Sequence, residues 1–362
     1  MILPATYAPT LLLALLALLC WGSWANAYKL TRGERFEIFY WDYALGVLLA
    51  ALVAAFTCGS LGVDLSGDVG GFAFLDDISL HASKHSIAYG LAAGLVFNLG
   101  SILLAAALSL TGMSFALPVG LGLAIAVALV LDYVLNSHGN PLALFPAAVL
   151  LIAGVVVEVV AYRAVSLERA KAAIRTGKTK SNRVTASWQG IVLAGVGGLL
   201  MALCCPLLAL SRQGEFGMGP YTAAVVFAVG IFVSTCIYNL FFMNLPVQGQ
   251  PLELLQYFQE PARQHLLGVV GGIVWGAGTV SYFVASSAVS AGSAKNPPVL
   301  LLGPAAGYVL VLGAALVSAL WGLLVWKEFA GATRRVRALL GATLALFAAA
   351  LALILLAPPF TA

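Results

Sequence analysis

Residues 93–100 read AGLVFNLG, and residues 271–278 read GGIVWGAG. Gly94, Phe97 and Gly100 line up with Gly272, Trp275 and Gly278, so a spacing of small, aromatic and small residues occurs twice, far apart in the chain. What the match means depends on the segments that hold the two copies.

Both copies lie in long apolar runs. The chain has 362 residues, of which 62% are hydrophobic and 9% charged, with a mean hydropathy of +1.01. No water-soluble domain of this size needs so much apolar surface. A bilayer core about 30 Å thick is crossed by roughly 20 apolar residues in a helix. Runs of that length, separated by polar clusters, cover residues 8–29, 40–58, 86–109, 112–134, 142–162, 187–210, 219–244, 266–288, 298–325 and 337–357. A membrane β-barrel would instead show short segments of alternating polarity.

AGLVFNLG belongs to the third run and GGIVWGAG to the eighth. Five is an odd offset, so the two copies would cross the membrane in opposite senses, as in transporters built from inverted halves. Ala116-Leu117-Pro118 in helix 4 and Leu302-Gly303-Pro304 in helix 9 form a looser second match. The predicted fold is an all-α polytopic membrane protein with ten transmembrane helices as two inverted five-helix repeats. Residues 1–162 form the first repeat, 163–186 a basic cytosolic connector and 187–362 the second repeat.

Orientation follows from positive charge. All of the 18 Lys and Arg except Lys84, Arg212 and Lys295 fall in loops that follow odd-numbered helices or at their edges. The positive-inside rule places those loops in the cytoplasm and both termini outside, in an inner or plasma membrane. Ala25-Asn26-Ala27 resembles a signal cleavage site, but no Lys or Arg precedes the first apolar run, so it reads as a helix rather than a leader. Cys20, Cys58, Cys204, Cys205 and Cys236 lie in or at the ends of apolar runs, with no CxxC pair, and read as packing residues.

Charge inside a membrane is costly and usually functional. Asp42, Asp132, Glu158 and Glu328 all fall near predicted helix ends, which leaves the helix centres without acid, Lys or Arg. This pattern disfavours carriers of cationic drugs and of organic anions, and favours an uncharged polar solute. Such a solute needs aromatic faces, amides and hydroxyls. The candidates are Trp21, Ser23 and Trp24 in helix 1, Tyr43 in helix 2, Phe97, Asn98 and Ser101 in helix 3, Tyr238 and Asn239 in helix 7 beside Ser234 and Thr235, and Trp275 and Tyr282 in helix 8. Asn98, near mid-helix, is expected either to face a cavity or to bridge helices. Asp42 and Glu158 are the candidates for coupling, although Glu158 also fits a side chain that snorkels to the interface.

Several features read as structural. The histidines His81, His85, His138 and His265 fall in predicted loops without ligand spacing, and no metal or other cofactor is expected. Residues 251–264, PLELLQYFQEPARQ, read as an amphipathic segment on the cytosolic interface. Residues 172–179, AAIRTGKT, end like a phosphate loop, but Ala172 stands where such a loop needs Gly and residues 167–170 read as helix rather than strand. The stretch is a hinge between halves.

Gly22-Ser23-Trp24, Trp41-Asp42-Tyr43, Leu316-Val317-Ser318-Ala319-Leu320-Trp321-Gly322 and Lys327-Glu328-Phe329 resemble the ureide permease family of the drug/metabolite transporter superfamily. The family's central A-x-x-x-x-G-K-[ST] pattern is matched by Ala172, Gly177, Lys178 and Thr179. Ser23-Trp24-Ala25 stands where plant members have a Thr-Trp-Pro form, a departure that bears on the substrate. The resemblance implies a secondary transporter of ureides, uracil or related neutral heterocycles, coupled to protons. The residues alone suit a sugar permease of the same superfamily equally well. The expected partners are a small neutral polar solute, protons and the lipid bilayer, with no nucleic acid; the oligomeric state is left open. Nothing in the sequence assembles a catalytic cluster, so no enzyme is expected.

Overall fold

The computed structural model describes residues 1–61, 73–136, 140–175, 182–289, 300–302 and 305–356, without the side chains of 136, 172–175, 182–187 and 356. Asp64, Asp68, His138, Lys295, Gly303, Pro304 and the Gly177-Lys178-Thr179 end of the hinge stretch lie outside these residues.

Among the described residues ten helices are long and apolar enough to cross a membrane. They are α1 Tyr7–Leu30, α2 Phe36–Phe56, α3 Lys84–Thr111, α4 Met113–Leu135, α5 Pro141–Lys171, α6 Trp188–Arg212, α7 Pro220–Asn244, α8 Ala262–Ser286, α9 Ala306–Val325 and α10 Arg334–Leu355. Their backbone N–H and C=O groups bond within each helix, as an apolar surrounding without water requires. The described residues hold no strand, only an isolated bridge between Val289 and Leu300.

The largest departures from the predicted spans have local causes. The helix of α5 continues to Arg175 rather than stopping at 162. Ala, Arg, Lys, Leu and Glu follow the apolar run without Gly or Pro, so nothing breaks the helix when its surface turns polar. α9 begins at Ala306 rather than 298, after Gly303-Pro304, a pair that disfavours helix before it.

The chain divides into two compact units, Met1–Leu99 with Leu203–Leu310, and Gly100–Ala202 with Val311–Ala362. Each draws on both halves of the sequence. In the first unit α8 packs against α1, α2 and α7. Glycines set two of its crossings. A Cβ at Gly272 would stand 2.0 Å from the Tyr43 carbonyl oxygen and 2.9 Å from Gly46 Cα, and one at Gly94 would stand 2.4 Å from the Phe227 carbonyl oxygen and 3.0 Å from Gly230 Cα. Membrane helices have no hydrophobic effect to press them together, so this closeness supplies van der Waals contact.

In the second unit α4 and α10 pack on α5. A Cβ at Gly198 would lie 2.2 Å from the Gly120 carbonyl oxygen, and one at Gly100 would lie 2.6 Å from that of Gly197. The Glu328 carboxylate accepts from the backbone N–H groups of Met113 (3.0 Å) and Ser114 (2.8 Å), and from the Ser114 hydroxyl. An anion at the first turn of α4 satisfies donors that the helix cannot, and opposes the positive end of its dipole.

Candidate functional site

The first unit gathers most of the predicted site residues around two linked features. The first is a buried aromatic wall. Trp24 of α1 stands 4.9 Å from Tyr43 of α2, Tyr43 stands 6.4 Å from Trp275 of α8, and Trp275 stands 5.0 Å from Phe97 of α3, all between ring centroids. Phe227 of α7 closes the far end, 5.3 Å from Phe97. Trp21 is set apart from this wall. Its indole N–H donates to Thr279 Oγ1 at 3.1 Å, and its ring lies 5.3 Å from that of Tyr282.

The second feature is a polar knot at Asn98, which is 0% exposed. The Tyr40 hydroxyl donates to Asn98 Oδ1 at 2.8 Å, and Asn98 Nδ2 donates to Ser234 Oγ at 2.8 Å, Thr235 Oγ1 at 3.0 Å and the Ile231 carbonyl at 3.1 Å. Ser234 and Thr235 spend their own protons on the carbonyls of Gly230 and Ile231 one turn back, which leaves their lone pairs for the amide. Gly94 and Gly230 each lie one turn before these partners, so the close crossing of α3 and α7 brings the amide into reach. Of the two roles expected for Asn98, this geometry favours bridging: three helices meet on one amide whose two N–H groups are both engaged.

Asn239 is also buried, with Nδ2 donating to the Glu37 carbonyl at 2.7 Å. Ser23 and Tyr238 are half-buried. Ser101 is buried and belongs to the second unit.

Asp42 anchors a third arrangement at one end of α2. Tyr257 Oη donates to Asp42 Oδ1 at 2.6 Å, and His265 Nδ1 lies 2.8 Å from Asp42 Oδ2. The Tyr257 and His265 rings meet edge to face at 4.7 Å. Gly268 lets Asp42 sit against α8, since a Cβ there would fall 2.4 Å from Asp42 Cβ. Burial, followed by the hydrogen bond to Asp42 and the charges of Asp42 and Glu34, pushes the Tyr257 phenol up from its ordinary value. The sequence missed this set because His265 was placed in a loop. It lies instead in the first turn of α8, and His85 likewise lies in α3. His81 closes a helical turn, Asp77–His81, and its Nδ1 is 3.1 Å from Asp77 Oδ1. Among the described residues no three His, Cys, Asp or Glu side chains could hold a metal ion.

Glu158 belongs to the second unit. Because the helix runs on past 162, Glu158 lies near the middle of α5 rather than at its end. It is 2% exposed, so it does not snorkel. It lines a cavity with Ser114, Pro118, Leu340, Thr343 and Phe347 that leaves about 10 Å³ for the centre of a water molecule, room for about one water. The Thr343 hydroxyl donates to the Leu339 carbonyl at 3.3 Å, and Glu158 Oε1 has no hydrogen-bond partner among the described residues.

Comparison with known proteins bears on what this arrangement does. The family model described as ureide permease matches residues 39–189 and 167–357. Ureide permease 1 of Arabidopsis thaliana is 23% identical over 94% of this chain and 95% of its own, and ureide permease 2 of the same plant is 24% identical with the same coverage. A crystal structure of a protein 16% identical covers 95% of each chain at a TM-score of 0.50, a likeness of fold alone. The sugar reading finds no support in these relatives.

Proposed function

The chain belongs to the ureide permease family, which makes it a multi-pass membrane transporter, and from that premise we propose that it carries a small uncharged nitrogen-rich solute, a ureide, nucleobase or related heterocycle, by alternating access. The observation that carries the substrate class is the aromatic wall of Trp24, Tyr43, Trp275 and Phe97, whose ring partners are aromatic rather than charged. A flat heterocycle stacks on such faces at low conformational cost. Asn98, held by Tyr40, Ser234 and Thr235, fixes the helices that present Tyr43 and Phe97. Trp21 with Tyr282, and Ser23, Tyr238 and Asn239, are the further solute contacts proposed in the first unit, and Ser101 is the one proposed in the second.

Alternating access rests on the inverted repeat, residues 1–162 and 187–362 around the connector 163–186. Exchanging the halves turns helix 3 into helix 8, helix 7 into helix 2 and helix 6 into helix 1. The glycine contacts follow that exchange. Gly94 of α3 meets Gly230 of α7 as Gly272 of α8 meets Gly46 of α2, and Gly100 of α3 meets Gly197 of α6 as Gly278 of α8 meets Ala17 and Cys20 of α1. Matching aligned glycines to matching partners supports the repeat beyond the eight-residue likeness that suggested it.

In this reading the odd loops are cytoplasmic, both termini are outside, and protons drive transport through Asp42, which pairs with His265, and Glu158, which lines a cavity. Competition for uptake into proteoliposomes tests the substrate class. Allantoin, uracil or a purine should displace one another, and a hexose should not. Displacement by hexose alone would overturn it.

A further inference from the structure

The group that the proposed function leaves unused is Glu34, in the turn between α1 and α2. Both of its carboxyl oxygens are buried, and neither has a hydrogen-bond partner among the described residues. Leaving a carboxylate so is expensive, because it has given up water and received nothing in exchange. The obvious cation does not serve it. Arg35 donates to Glu37 at 2.6 and 3.1 Å and to the Gln250 carbonyl at 2.8 Å, and Arg263 donates to the Leu30 carbonyl at 3.2 Å.

Glu34 instead faces charge of its own sign. Asp42 from α2 and Glu260, which follows the short helix Leu254–Gln259, both act on it, and His265 from α8 opposes them. The short helix touches this cluster through Tyr257, the donor to Asp42. Its other apolar side chains turn outward, Leu255 62% and Phe258 70% exposed, the pattern of a segment lying along a membrane interface.

We propose that Glu34, beside the Asp42–His265 pair, is a proton-binding site that fastens the interfacial helix Leu254–Gln259 to the end of α2, docked when Glu34 is protonated and released when it ionises. With the proton on, the cluster holds two acids, Asp42 and Glu260, against one imidazole, and Tyr257 donates to Asp42. With the proton off, a third negative charge stands in the same space without a donor, and separation of Glu260 and Tyr257 from α2 relieves it.

Burial first, then the charges of Glu260 and Asp42, raise the Glu34 carboxyl from 4.5 to about 7 against the pull of His265. Release exposes it to water and returns it toward 4.5, so the docked state binds the proton more tightly. Docking is therefore strongest below pH 4.5, weakens as pH rises to about 7, and stays weak above. The proposal shares Asp42 with the coupling reading but needs no solute and no transport.

Hydrogen–deuterium exchange of the full-length protein in nanodiscs tests it, read on the peptide covering residues 251–264 and corrected for intrinsic rates. Between pH 5 and pH 7.5 protection of amides 254–260 should fall about tenfold or more, while peptides from the centre of α8 stay constant. Glu34→Gln should hold the helix docked at both pH values. Equal protection at the two pH values in the unmodified protein would overturn the proposal, and so would an undiminished fall in Glu34→Gln. If that variant fails to fold, the unmodified protein still decides through its own pH profile. Absence of solute uptake leaves this result standing, which separates it from the transport reading.

Discussion

Asp42 and Glu158 are both carboxylates on spanning helices and both are buried, yet their surroundings are opposites. Asp42 has a partner on each oxygen, the Tyr257 hydroxyl and the His265 imidazole. Glu158 lines a small cavity, and its Oε1 has no hydrogen-bond partner among the described residues. A carboxylate with both oxygens engaged also holds its partners in place, so removing it costs their hydrogen bonds as well as its charge. One with an open oxygen beside room for a water can exchange a proton with little rearrangement. Of the two, Asp42 is therefore the residue whose loss costs more stability and Glu158 the one that exchanges a proton with less rearrangement, a contrast that substitutions can test.

The largest effect is expected where both units depend on the same device. Gly272→Ala in the first unit and Gly198→Ala in the second would each drive a Cβ to about 2 Å from a backbone oxygen. Each should lower stability by about 3 kcal/mol, seen as a large fall in melting temperature in detergent. A marked difference between the two would mean that one crossing is soft.

Next is the knot. Asn98→Ala removes the amide acceptor of the Tyr40 hydroxyl and should cost about 1–3 kcal/mol, with uptake reduced about tenfold or more as the aromatic wall loses its alignment. Unchanged uptake would remove Asn98 from the site. Asp42→Asn should cost about 1–3 kcal/mol because one of its two partners then faces an amide N–H, whereas Glu158→Gln should change stability by less than about 1 kcal/mol. Glu158→Gln should nonetheless abolish accumulation of solute against its gradient while leaving exchange intact, measured as counterflow. If Glu158→Gln were the more destabilising of the two, the contrast would be reversed. The smallest effect is expected for Thr279→Val, which takes the acceptor from the Trp21 indole and should cost about 1 kcal/mol or less.

The ten spanning helices were legible because bilayer thickness imposes one length on every apolar run, and because Lys and Arg mark the loops. Trp24, Tyr43, Phe97, Asn98 and Trp275 were legible as rings and an amide in an otherwise aliphatic setting. Their partners were not. Tyr40 is one more aromatic in the stretch FEIFYWDY, and only the crossing of α2 and α3 turns its hydroxyl toward Asn98. His265 was hidden by a helix start placed a few residues too late, and Tyr257 is more than two hundred positions from Asp42. Glu158 was misplaced because hydropathy marks where a helix turns polar rather than where it ends. Long-range pairing has no period, so sequence pattern carries it only where a repeat does, as with Gly94 and Gly272.

Transport by this protein alone in sealed vesicles is the most direct test of its function. Purified protein in ATP-free proteoliposomes should accumulate radiolabelled allantoin or uracil under an inward proton gradient, and lose the accumulation when a protonophore collapses that gradient. Uptake that appears only with ATP, or that equals protein-free vesicles for every ureide and nucleobase tried, would contradict it.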